Sequence, residues 1–153
     1  MTQLDKLARL VAVFDQFHNA IAALDDPRAK LLAGNWAAHR DQYAKPNGVP
    51  RSALAGGMEQ GLRETPMLLT SMRSDLRKVA AEALAAAVAA HYAEFVAKDA
   101  ARLQKVQSRG HIRGENEYYL VRHHVDILEG QPGREAELHR LYQLVQQFES
   151  RGK

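Results

Sequence analysis

Cysteine is absent from this 153-residue sequence. Its absence excludes disulfides, thiolate nucleophiles and cysteine-ligated zinc together. A long hydrophobic run is also missing: the longest uncharged apolar-rich stretch, Ala83–Ala93, lies between Glu82 and Glu94 and is too short to span a bilayer. No membrane association is therefore expected. Thr2–Asp15 carries charges throughout where a signal peptide has an apolar block, so a cytoplasmic location is expected. Aromatic residues make up only 7% of the chain, which leaves leucine, valine and alanine to build the core and suits helix packed on helix. Neither sign of charge dominates. Against 21 lysines and arginines stand 18 aspartates and glutamates, a net +3 that permits a nucleic-acid partner without requiring one.

Proline and glycine are missing from Met67 through Arg109, and this gap dominates the chain. Thr65-Pro66 reads as a helix start, threonine as cap and proline in the first turn, and Gly110 as the matching end. Between them Leu76, Ala80, Leu84, Val88, Tyr92, Phe95, Leu103 and Val106 recur at helical steps through an alanine-rich centre. The pattern predicts one long central helix, roughly residues 66–109, reaching roughly 60 Å at ~1.5 Å per residue. Such a rod either kinks near Met72–Ser74 or projects and is covered by a second copy. The second alternative is taken forward: a homodimer meeting through Leu76, Leu84, Val88, Tyr92 and Phe95.

Shorter helices are predicted on either side. Thr2–Leu24 carries an apolar stripe of Leu4, Leu7, Val11, Phe14 and Ile21. Asp26 and Pro27 start a second helix, running to about Tyr43 and anchored by Leu31, Leu32, Trp36 and Tyr43. Residues 44–62, with Pro46, Pro50, Gly48, Gly56, Gly57 and Gly61, read as a flexible loop with at most a short helical turn after Ser52. Glu115–Glu129 and Arg134–Ser150, split by Gly130-Gln131-Pro132-Gly133, read as a helical hairpin. The expectation is a single all-α domain over residues 1–153, of about five helices: an N-terminal pair and a C-terminal hairpin packed on the central rod. Ile112, Glu117-Tyr118, Leu128, Glu137-Leu138, Leu141, Leu144-Val145 and Phe148-Glu149 together resemble the helical hairpin beside the DNA-binding domain of some bacterial antitoxins. Only the hairpin is represented, so the resemblance implies a helix pair and carries over no site residue.

Chemistry is sparse. Lys98, Arg102, Lys105 and Arg109 step by four, three and four, and Arg113 continues the ridge with no acid between Ala100 and Gly114. The ridge reads either as a polyanion-binding strip or as a solvated face that complements a helix C-terminus. The seven histidines match no metal-ligand spacing. His123 and His124 are adjacent and expected to point apart, so a metal or small-ligand site needs His18, His91 and one of that pair to converge. Seam histidine His18 and the single tryptophan, Trp36, read first as core residues. Asp25-Asp26 and Glu115/Glu117 sit at helix starts, where capping explains them. No glycine-flanked serine elbow is present, and neither an enzyme nor a bound cofactor is expected. The reading is a non-enzymatic, self-associating interaction module. A nucleic-acid accessory factor using the ridge and a helical ligand- or metal-binding bundle are the alternatives.

Overall fold

A computed structural model describes residues 4–151. All regular structure among them is helical, as the sequence predicts, but in seven helices where about five are expected. These are α1 (Lys6–Ala22), α2 (Pro27–Ala44), α3 (Arg51–Leu68), α4 (Ser74–His91), α5 (Ala93–Arg109), α6 (Glu115–Leu128) and α7 (Glu135–Arg151). Asp5 and Asp26 cap α1 and α2, accepting from the backbone N–H groups of Ala8 and Ala29 at 2.9 Å.

The single central helix does not exist. It is broken twice, and each break has a tertiary cause. Pro66 lies inside the last turn of α3 instead of opening a helix, and Thr65 bonds back to the Gly61 carbonyl at 2.8 Å. The chain then leaves the helix, and the connector inserts Leu69 and Met72 into the core, where they are 2% and 3% exposed. This break falls where the kink alternative places it. No proline or glycine marks the second break. Tyr92 alone leaves the helix, at φ −147° and ψ 61°, with its ring buried and its hydroxyl donating to Glu59 Oε1 at 2.7 Å. Burying an aromatic ring and satisfying a buried carboxylate outweigh the local loss of helical regularity.

The predicted loop is also corrected. Residues 51–68 are helical, and only the segment from Lys45 to Pro50 is irregular, with Gly48 at φ +81°. Ala55, Met58, Glu59, Leu62 and Thr65 recur at helical spacing and are all buried. That buried face offsets about 1 kcal/mol of helix-propensity cost for each glycine in it.

The chain divides into two compact units, residues 1–96 and 97–153. In the first, α1 packs against α2, α3 and α4, so this helix, and not the 67–109 segment, is the organising element. Leu10, Val13 and Ile21 on it are fully buried, with Leu7 and Phe17 nearly so. The residues predicted to meet a second copy belong to this same core. Leu84, Val88, Tyr92 and Phe95 are buried in it, and Leu76 packs against its edge. They are spent within the chain, because the helices that cover them are its own. In the second unit α6 packs on α7, and Leu103 and Val106 of α5 join Ile112, Val121, Val125 and Leu141 in a separate core. No helix among the described residues is long and apolar enough to cross a membrane.

Candidate functional site: an amide-lined groove on the second unit

The basic ridge lies on α5 with much of its charge engaged. Arg102 pairs with Asp99 at 3.1 Å. Arg109 pairs with Glu117 and donates from Nε to the His111 carbonyl at 3.1 Å. The same Glu117 accepts from the backbone N–H of Arg113 at 2.8 Å. The acid-free window in the sequence is therefore closed in space by acids just outside it. Lys98, Lys105 and Arg113 are exposed, so the ridge is a partly neutralised face.

The histidines have other occupations. His18 Nδ1 meets the Phe14 carbonyl at 2.7 Å, and its ring stacks on Trp36 at 5.7 Å between centroids. Burial pushes its pKa down, against that carbonyl contact and the charge of Asp15. His91 Nε2 meets Gln16 Oε1 at 2.7 Å. In the second unit the rings of His123 and His124 do not point apart but meet edge to face, centroids 5.7 Å apart. Burial lowers both, His123 to about 3. Among the described residues no three His, Asp or Glu side chains gather as metal ligands.

Two polar clusters escaped the sequence reading. Asp15 accepts from Trp36 Nε1 at 2.8 Å and from Arg40 at 2.7 and 2.9 Å. Burial opposes its charge, but these two donors prevail and hold its carboxyl below the usual range. Glu59, buried on α3, accepts from Tyr92 and pairs with Lys6 at 3.1 Å and with Arg63 at 3.6 Å. Arg9 stands over the Tyr92 ring at 5.1 Å and pairs with Glu94 at 2.5 Å. Each cluster ties α1 to its neighbours, the second with Arg9 Nε buried and unpartnered. The sequence hid Glu59 because it lies among glycines.

An open groove of about 580 Å³ lies on the second unit, lined by Gln107 of α5, by Gly110 and by Arg140, Gln143, Gln146, Gln147 and Ser150 of α7. Arg140, Gln143, Gln147 and Ser150 step by three, four and three, so they form one strip along α7. Leu144 lies beneath it and is the groove's apolar component. Gln107 Nε2, like Arg9 Nε and His124 Nε2 outside the groove, is buried without a hydrogen-bond partner. A buried amide N–H left unpaired costs about 1–3 kcal/mol. Periodicity alone could have found the strip on α7. The part played by Gln107 needed the fold.

The chain matches no known protein family, no curated protein and no solved structure.

Proposed function

We propose that this is a non-catalytic, partner-binding helical protein whose binding face is the amide-lined groove of the second unit. The unpartnered, buried Nε2 of Gln107 in that groove carries the reading. It is supported by the engagement of the Asp15 and Glu59 carboxylates within the chain. Self-association through Leu84 and Val88 loses its surface, because both are buried in the first unit. The polyanion ridge remains the second reading, favoured by exposed Lys105 and Arg113 and opposed by the pairing of Arg102 and Arg109.

The test is a set of ¹⁵N–¹H NMR spectra of the full chain with acetylated peptides, nucleoside monophosphates and inorganic polyphosphate. The side-chain amide signals of Gln107, Gln143 and Gln147 are expected to move before any others. Should polyphosphate instead shift Lys98–Arg113, and the Arg102→Glu/Lys105→Glu variant abolish that shift, the polyanion reading replaces this one. A dimer by native mass spectrometry, with a silent groove, would restore self-association.

A further inference from the structure

We infer that the groove recognises an extended peptide segment carrying a carboxylate side chain; the inference rests on the groove being the binding face. Four glutamines line the groove, and most of the other described glutamines, exposed Gln42 apart, are engaged within the chain. Gln16 bonds His91, Gln60 bonds Glu64, Gln104 bonds Ser108 and Gln131 bonds the Ile127 carbonyl. The side chains of Gln107, Gln143, Gln146 and Gln147 make no such bond, although they stand together around one cavity. A primary amide offers a donor and an acceptor side by side, and a peptide backbone presents the same pair in every residue. Helix α7 contributes its strip from Arg140 to Ser150, about 15 Å of helix. At about 3.3 Å per residue that accommodates roughly four to five residues of extended chain.

Charge narrows the class. Arg140 is the one charged residue in the lining, and no acid lines the groove with it. On the same helix pair other arginines are engaged: Arg134 with Glu137 at 2.5 Å and Arg151 with the Ile112 carbonyl at 3.3 Å. Arg140 is the arginine that lies in the groove itself, and its planar fork suits an incoming carboxylate. A polyanion fits poorly. Lys98, Arg102, Lys105 and Arg109 lie on the opposite side of α5 from Gln107, since 100° per residue sets Lys105 and Arg109 roughly 160–200° away from it. With Leu144 the single apolar lining residue, hydrophobic gain is small and recognition runs through hydrogen bonds.

The experiment titrates full-length ¹⁵N-labelled protein with three acetylated, amidated pentapeptides, Gly-Ser-X-Ser-Gly, in which X is Glu, Gln or Lys. The Glu peptide is expected to shift the groove amides and to bind about two- to fivefold more tightly than the Gln peptide, the range of one exposed ion pair. Arg140→Gln should remove that preference while leaving the remaining backbone spectrum unchanged, and Gln107→Leu should weaken all three peptides alike. Equal binding of the Glu and Gln peptides overturns the carboxylate, and the groove survives as a peptide site. Free acetate matching the Glu peptide, or a nucleoside monophosphate binding where no peptide does, overturns the peptide and leaves the binding face standing. A groove that responds to none of these probes overturns both.

Discussion

His123 is buried on α6 with its pKa lowered to about 3, against roughly 6.5 for an unfolded histidine. The folded chain therefore holds the ring neutral while the unfolded chain takes up a proton. Stability from this residue is complete above about pH 6.5 and falls as the pH drops from there toward 3, by about 1.4 kcal/mol per unit at the steepest. His124 adds to the effect in the same direction, its pKa also lowered by burial. Thermal melts from pH 7.5 to 4 should show melting temperatures that fall with acidity. A chain with His123→Gln should start less stable and lose less on acidification. If the variant's pH slope matches that of the natural chain, His123 is not the titrating group. The side chain's identity was plain in the sequence, but its burial depends on how α6 meets α7, which the adjacent pair His123-His124 did not disclose.

At the scale of the element, α3 teaches most about what can be read in advance. Its glycines advertise a loop, yet its apolar stripe is buried, and tertiary burial overrides local propensity. Ala55, Met58 and Leu62 recur at helical spacing in the sequence, but the local preference of the glycines and prolines around them points to a loop. Tyr92 is the converse: an interior of good helix formers, broken for a hydroxyl contact to a glutamate 33 positions away in sequence. Nothing local reports that. Amphipathic α1, the cap at Asp26 and the last two helices were legible because each is fixed by its own periodicity and punctuation. Helix α3 also carries a direct prediction. A Cβ added at Gly56 or Gly57 meets nothing within 4 Å and both are exposed, so Gly56→Ala and Gly57→Ala should each stabilise by about 0.5–1 kcal/mol. Gly48→Ala should do the reverse, because φ is +81° there. Urea midpoints measured on the three single variants check both signs.

At the scale of the whole molecule, the described residues form two hydrophobic clusters that share no residue, one gathered around α1 and the other around α6 and α7. Cooperative unfolding is a property of a continuous core, so one transition is not expected of the chain. Differential scanning calorimetry should give two transitions, or one whose van't Hoff enthalpy falls below the calorimetric value, and mild acid should move the transition of the second unit first. A single transition with matching enthalpies would show the two clusters melting as one. The chain's one tryptophan, Trp36, belongs to the first cluster, its indole N–H held by Asp15 and its ring between His18 and Tyr43. Its fluorescence therefore certifies the contact between α1 and α2 and reports on the first core. A preparation can pass that optical inspection with the amide-lined groove already melted, and the tyrosines Tyr118, Tyr119 and Tyr142 are the natural lamps for the other half.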